Sequence, residues 1–165
     1  MTDKSQFKTL VNQWLKEKSP MITPSTYANF TLIAENHLIP HFGKMQIGKI
    51  DEAEIQKYIL YLHASGRLDQ KGGLTVKTVR DIILVLRLAM EYAYKQKVIP
   101  LLNWELIEYP KDNSSHRVIS LNKDDEQKLI QCIYMHMNRK STGILIALFT
   151  GLRIGELCGL QMKDI

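Results

Sequence analysis

The sequence predicts an all-α protein, in which a four-helix bundle is followed by the first helices of a second domain. Apolar residues recur at three- and four-residue spacing along nearly the whole chain, which is the period of one helix face. Residues typical of helix starts and stops separate these apolar stripes. The length of 165 residues fits one domain and part of another, and 45% apolar with 24% charged residues is ordinary for a folded chain.

The first three apolar stripes belong to three successive helices. Thr23 followed by Pro24 is a typical N-cap and first helical residue, and Pro40 is expected to end this second helix. Asp51 and Glu54 form a capping-box-like start for the third helix. The predicted buried residues of the three helices are Phe7, Leu10, Val11, Trp14, Leu15, Tyr27, Phe30, Ala34, Leu38, Ile55, Tyr58, Ile59 and Leu62.

The fourth and longest helix is predicted to begin at Thr75, after a polar loop over residues 67–74. Its predicted core face consists of Val79, Ile82, Ile83, Leu86, Met90 and Ala93. Pro100 and Pro110 then bracket an irregular segment. Four such stripes can close around a single core, so we assign residues 1–112 to one helical bundle.

A second domain is predicted to follow the bundle. Residues 113–120 are polar and indicate a hinge, and residues 121–165 begin the new domain. Asn122 is expected to start a helix. The apolar side of that helix carries Leu129, Ile130, Ile133 and Met137. An apolar helix over residues 144–149 breaks at Gly151, and a further helix follows the break.

Composition excludes several classes of protein. The net charge of +5 is a mild basic bias, which permits a nucleic-acid partner without requiring one. Cys132 and Cys158 match no disulfide framework, and residues 1–8 are polar. We therefore expect a reduced, cytoplasmic protein that does not span a membrane.

The sequence predicts neither a metal nor a cofactor. It contains no phosphate-binding loop, nucleophile-elbow serine or zinc-binding helix motif. His37 and His41 are four residues apart, but Pro40 is expected to break the helix that would align them. They are better interpreted as surface or turn histidines than as metal ligands.

The most informative segment is Thr-Gly-Leu-Arg-Ile-Gly-Glu-Leu over residues 150–157. Gly151 permits a sharp break, after which Arg153 is expected in the first turn of a new helix, where backbone N–H groups favour an anion. The planar guanidinium can bind two phosphate oxygens at once, and Glu156 at i+3 can hold it in place. A surface Arg–Glu pair on an amphipathic helix is the alternative interpretation.

This segment closely resembles the first catalytic box of the tyrosine recombinases, the phage-integrase family. Four upstream passages resemble the core-binding domain of that family, namely residues 23–27, 38–43, 72–79 and 89–93. The closest similarity is to integrases of conjugative transposons and of phages of Gram-positive bacteria. The resemblance implies a SAM-like core-binding bundle followed by the first helices of the catalytic domain.

The resemblance also implies a function in DNA integration and recombination, within a mobile element or phage. In such enzymes a tyrosine attacks the scissile phosphate of double-stranded DNA and forms a 3′-phosphotyrosyl intermediate, without a metal or ATP. By position, Arg153 is the first catalytic arginine, which stabilises the transition-state charge, and Glu156 is the associated acid. A tetramer on paired recombination sites, in a nucleoid-associated setting, is implied for the full-length protein.

The chain departs from the family pattern after this box. The active-site lysine, the His-x-x-Arg pair and the nucleophilic tyrosine of the family all follow the box, and none of the seven tyrosines occupies a matching position. His136-x-x-Arg139 spells the second motif but precedes the first, so we interpret it as a chance match. The chain is therefore expected to bind DNA rather than to cleave it. Two alternatives are a non-catalytic DNA-binding module or truncated integrase, and an all-α interaction protein.

Helix geometry predicts which residues face DNA. Lys77, Arg80 and Arg87 lie at i, i+3 and i+10 on the fourth helix, opposite much of its apolar face. Ser25 and Thr26 open the second helix and are expected to contact phosphate. Further loop candidates are Lys44, Lys49 and Lys71. A solvated charged face is the alternative interpretation for each of these residues.

Overall fold

The computed structural model describes residues 6–111, 120–161 and 163, and the chain divides into two compact units, Met1–Ser114 and Ser115–Ile165. The described residues form helices, turns and irregular segments, with one isolated antiparallel bridge between Gln6 and Gln46. The predicted all-α fold is confirmed for these residues. The predicted hinge at 113–120 lies outside them, apart from its last residue.

Five α-helices form the described part of the first unit. They are α1 (Phe7–Lys18), α2 (Pro24–Ile33), α3 (Ile39–Phe42), α4 (Glu52–Ser65) and α5 (Val76–Lys95). Short 3₁₀ turns occupy Ser19–Met21, Ile47–Lys49 and Trp104–Leu106, and a π-helical turn, Ala34–Leu38, joins α2 to α3. The side chains of Thr23, Asp51 and Thr75 cap α2, α4 and α5, so the predicted helix starts are confirmed.

Helix α5 lies at the centre of the first unit and packs against α1, α2, α4 and the π-helical turn. All six core residues predicted for it are buried, and Val76, Val85 and Ala89 join them. The predicted buried faces of α1 and α4 are confirmed in full, whereas Tyr27 and Phe30 of α2 are half-buried against the core. A single apolar core therefore holds the helices of this unit together.

The prediction that Pro40 ends the second helix is wrong. Helical backbone continues through the π-helical turn into α3 and ends at Phe42. Proline has no amide hydrogen to donate, and the change to wider π-helical turns just before it removes the need for that bond. The continuation buries Phe42, whose ring packs edge-on against Phe7 and Tyr58.

The second unit has three described helices, α6 (Lys123–Met135), α7 (Arg139–Thr150) and α8 (Ile154–Gly159). Asn122 caps α6 as predicted. Met137 was predicted on the apolar side of α6, but the helix ends before it and its side chain is exposed. Ile133 and Ser141 are the buried residues in the described part of this unit. Its exposed large apolar side chains include Leu121, Tyr134, Met135, Ile144, Phe149 and Ile154.

Helix length and polarity bear on membrane association. The longest helix, α5, has 20 residues and carries charged side chains along one face. Within the described ranges, no helix is long and apolar enough to cross a bilayer.

The loop between α4 and α5 folds tightly back on the end of α4. The Leu74 amide donates to the Leu62 carbonyl at 2.9 Å, and the Arg67 amide donates to the Gly72 carbonyl at 3.1 Å. Gly73 lies directly against the His63 carbonyl, where a Cβ atom has no room. This close approach fixes where α5 begins.

We expect Gly73→Ala to lower the free energy of unfolding by about 1–3 kcal/mol, because the added methyl group collides with the backbone of α4. Gly48→Ala is the matched control, since nothing lies within 4 Å of its Cβ position, and it should change stability by less than about 0.5 kcal/mol. Urea unfolding followed by circular dichroism measures both. Equal stability of the two variants would contradict this account of the loop.

Candidate nucleic-acid interface

The basic residues of α5 lie on the face opposite the core, and they have different surroundings. Lys77, Arg80 and Arg87 are all exposed, while Val79, Ile83 and Leu86 between them are buried. Lys77 belongs to the first turn of α5, where the partial positive charge of the helix N-terminus adds to that of its ammonium group. This end of α5 therefore favours an anionic ligand.

Arg80 and Arg87 lie against aromatic rings of the segment that follows α5. The Arg80 guanidinium is 5.1 Å from the ring centre of Tyr109, and that of Arg87 is 5.7 Å from the ring of Trp104. Arg87 Nε also donates to Glu91 Oε1 at 2.8 Å. Periodicity predicted the face of α5 on which the arginines lie, but it gave no sign of these rings.

Lys71 lies in a loop that an ion pair organises. Arg67 donates two hydrogen bonds to the Asp69 carboxylate, at 3.0 and 2.7 Å, and the Lys71 amide donates a third at 3.1 Å. The side-chain hydrogen bonds from Arg67, followed by that from the Lys71 backbone, lower the pKa of Asp69 to about 2. The exposed Lys71 side chain thus extends from an ordered loop.

This loop lies beside the beginning of α5. Arg67 and Asp69 line the same cleft as Thr75 and Thr78, the N-cap and an early residue of α5. Lys71 follows Asp69 by two residues and Lys77 follows Thr75 by two, so the two lysines belong to segments that meet at this end of the bundle.

Ser25 and Thr26 lie towards the other end of α5. Met21, in the turn just before α2, lines a cleft together with Leu88, Tyr92 and Lys95 of the C-terminal half of α5. The Thr23 hydroxyl lies 3.2 Å from Ser25 Oγ and 2.9 Å from Thr26 Oγ1. These hydroxyl groups take part in the N-terminal cap of α2.

Lys44 and Lys49 form a third location, near the start of α1. Lys44 lies in the turn after α3, where the Phe7 and Lys8 amides donate to the Met45 and Gly43 carbonyls at 3.0 and 3.3 Å. Lys49 ends the nearby Ile47–Lys49 turn. The predicted DNA contacts thus fall into separate groups. One group consists of Lys71, in a loop, and Lys77, in the first turn of α5.

The arginine box forms a helix–break–helix junction in the second unit. Gly151 ends α7 in the left-handed conformation, with φ of +70°, which favours glycine. Arg153 is the N-cap of α8 rather than a residue of its first turn, which corrects the sequence-based placement by one position. Glu156 reaches back, so that one carboxylate oxygen accepts from the Arg153 amide at 2.8 Å and the other from Arg153 Nη1 at 3.3 Å.

The Arg153 side chain is 86% exposed, and one of its terminal nitrogens is held by Glu156. The planar guanidinium has five N–H donors, so donors remain for a bidentate contact with phosphate. The predicted holding of the guanidinium by Glu156 is observed in the structure.

The histidines form no metal site in the described part of the chain. The His41 ring packs 4.3 Å from the Tyr58 ring, whose hydroxyl donates to the His37 carbonyl at 2.7 Å. Burial lowers the pKa of both histidines. His136 is the C-cap that follows α6 and Arg139 begins α7, so their motif spans a turn between helices. No group of three or more His, Cys, Asp or Glu side chains among the described residues is arranged to hold a metal ion.

Sequence comparison links the chain to integrases. Residues 6–63 match the family model of the phage integrase N-terminal SAM-like domain. The chain is 27% identical over 165 residues to the ICEBs1 integrase of Bacillus subtilis (strain 168), an alignment that covers 96% of this chain and 41% of that protein. The chain thus spans less than half the length of this curated relative.

Structure comparison confirms the SAM-like integrase fold. The integrase of the Tn1549 transposon, solved in complex with circular intermediate DNA, is 21% identical, with a TM-score of 0.71 over 98% of this chain and 51% of that chain. An integrase-like domain from Bacillus cereus is 20% identical, with a TM-score of 0.56 over 70% of this chain and 92% of that chain. These identities establish the fold alone.

Glu156→Ala removes both contacts that hold Arg153. We expect hydrogen exchange of the Arg153 amide to accelerate about tenfold, because caps of this kind stabilise a helix start by about 0.5–2 kcal/mol. Glu126→Ala, in the first turn of α6, is the control and should leave Arg153 unchanged, since Asn122 caps that helix. Hydrogen exchange followed by NMR measures the effect. An Arg153 amide that exchanges at the same rate in both variants would refute this cap.

Proposed function

We propose that the chain belongs to the integrase family of tyrosine recombinases, that it binds duplex DNA and that, within the whole recombinase, it contributes to site-specific strand exchange. The observation that carries this proposal is the SAM-like match over residues 6–63, within a bundle that exposes basic residues at one end of α5. Residues 1–112 are then the DNA-binding domain, 113–120 the hinge and 121–165 the first part of the catalytic domain.

Electrostatics supports duplex DNA as the partner. Lys71 and Lys77 add two positive charges at the N-terminal end of α5, beside Thr75 and Thr78, whose hydroxyl groups lie 2.9 Å apart. Lysine, hydroxyl and helix N-terminal amide groups are the usual donors to DNA phosphates. The similar Tn1549 integrase is described in complex with DNA, which is consistent with this assignment.

The arginine box supports the part in strand exchange. We assign Arg153 to stabilising the negative charge that develops on the scissile phosphate, because preorganised cations act most strongly where charge develops. Glu156 then orients Arg153, through the two contacts described above. The 3′-phosphotyrosyl intermediate belongs to the complete active site, which on this proposal also includes a lysine, a His-x-x-Arg pair and a tyrosine from outside residues 1–165.

The exposed apolar residues of the second unit fit this assignment. A unit in which Ile133 is the buried apolar residue of the described part has too small a core to be an independent enzyme. On this proposal, further chain of the same catalytic domain covers α6 and α7. A tetramer on paired sites in the bacterial nucleoid, and a mobile element or phage as the host of the gene, complete the proposed setting.

A non-catalytic DNA-binding module is the second candidate function. The bundle favours it, because the bundle has a complete core and a basic end of α5 that can bind DNA. The arginine box contributes one arginine and one acid, which is only part of a catalytic site. Both candidates predict duplex binding, and strand cleavage separates them.

Lys71→Ala combined with Lys77→Ala should weaken duplex binding at every sequence. Because each lost phosphate contact reduces the slope of log affinity against log salt by about 0.9, the slope should fall by nearly two. Fluorescence anisotropy over a range of salt concentrations measures it. The control is Lys57→Ala, an exposed lysine on α4 paired with Glu54, which should leave the slope unchanged. An unchanged slope in the double variant would place the interface elsewhere.

The 165-residue chain should bind a nicked recombination site without forming a covalent adduct, because none of its seven tyrosines matches the family nucleophile. Denaturing gels of the trapped reaction test this, and an adduct would contradict it.

In a longer polypeptide that contains the tyrosine, Arg153→Ala should slow cleavage by about a hundredfold or more with binding retained, because its positive charge acts in the transition state. Unchanged cleavage would overturn the assignment of Arg153.

A further inference from the structure

Residues 98–111, which we term the strap, lie along α4. The Asn103 amide donates to Glu52 Oε1 at 2.7 Å. Further along, the Glu108 amide donates to Gln56 Oε1 at 2.9 Å, and Gln56 Nε2 donates back to the Glu108 carbonyl at 3.0 Å. The strap therefore runs in the same direction as α4 and is bonded through its own backbone.

The strap also lies along α5, in the opposite direction. Trp104 contacts Arg87, and Tyr109, further along the strap, contacts Arg80, which lies earlier in α5. Between the two rings, Ile107 is half-buried, and with Trp104 and Tyr109 it packs against the core. Burial raises the pKa of Tyr109, and the nearby charges of Arg80 and Arg87 oppose this shift. The two arginines thus face the strap from the side opposite Glu52 and Gln56.

We propose that Arg80 and Arg87 are positioning residues that clamp the strap between α4 and α5, and thereby fix where the chain leaves the first unit. They do not serve chiefly as phosphate contacts. The clamp consists of two guanidinium–ring contacts. Such contacts contribute more stabilisation when they are partly removed from water. This inference concerns the chain without DNA and goes beyond the proposed function.

The local charges favour a clamp over a phosphate contact. Arg87 Nε is already bonded to Glu91, and Asp81 lines the same groove as Arg80, Arg87 and the two rings. A phosphate that approached these arginines would also meet two carboxylates, which repel it. Lys77, one turn earlier on α5, lies next to the helix N-terminus instead.

The clamp fixes the path of the described chain after α5. With the strap docked as far as Tyr109, residues 98–109 follow α4 and α5. Release of the strap would free these residues from both helices.

Amide exchange in the DNA-free chain tests the clamp directly. In Arg80→Ala combined with Arg87→Ala, the Asn103 and Glu108 amides should exchange about tenfold faster, as two exposed cation–π contacts of ordinary strength are lost. The core amide of Leu86 should keep its rate. Lys77→Ala is the matched control, since it removes one charge from the same face, and the strap amides should stay protected.

Two further measurements complete the test. The salt slope of DNA binding should be unchanged in the double arginine variant, whereas Lys77→Ala should lower it. With spin labels on cysteines introduced by Lys57→Cys on α4 and Lys111→Cys at the end of the strap, in a Cys132→Ser, Cys158→Ser background, the distribution of distances should broaden when the arginines are removed. If the double variant fails to fold, Trp104→Leu with Tyr109→Leu removes the clamp from the strap side and should give the same exchange and distances.

Unchanged exchange at Asn103 and Glu108 in a folded variant overturns the proposal. So does a fall of about two in the salt slope, which would make both arginines phosphate contacts. If the unsubstituted chain does not bind DNA, the proposed function fails, but the exchange and distance measurements still decide whether the strap is clamped.

Discussion

The structure of the first unit depends on one constraint, which is that α5 must bury one face completely while its opposite face stays charged. Its apolar face supplies nine buried residues and packs against α1, α2 and α4, so the positions of the other helices follow from it. The same helix carries Lys77 at its exposed beginning and two arginines along its length. Burial of the apolar face thus sets the orientation of Lys77, to which we assign a DNA contact, and of the two arginines, to which we assign contacts with the strap.

Local patterns allowed much of this fold to be predicted from the sequence. The capping residues Thr23, Thr75 and Asn122 act within three residues, and helix periodicity is a property of each segment alone. Pro40 was misleading because a π-helical turn accommodates it, and that choice depends on the burial of Phe42. The strap was not foreseen, because its contacts join residues that are distant in sequence.

In the candidate site, too, features that local contacts determine could be predicted, whereas features that depend on distant residues could not. Gly151 and Glu156 define the conformation around Arg153 through contacts within a few residues, so its geometry could be predicted to within one position. Its chemistry requires groups that converge from distant parts of a chain, and these are proposed from the similarity to integrases. The grouping of Lys71 with Lys77 depends on how the α4–α5 loop folds back on α4, which periodicity does not encode.

The central claim is that duplex DNA lies against the N-terminal end of α5. Titration of the ¹⁵N-labelled chain with a duplex, followed by amide chemical shifts, tests it most directly. DNA binding there should shift the amides of Lys71, Thr75 and Lys77 most, with the Asn103 and Glu108 amides of the strap little changed. Shifts confined to the first turn of α2 or to the Ile47–Lys49 turn, with none at Lys77, would contradict it.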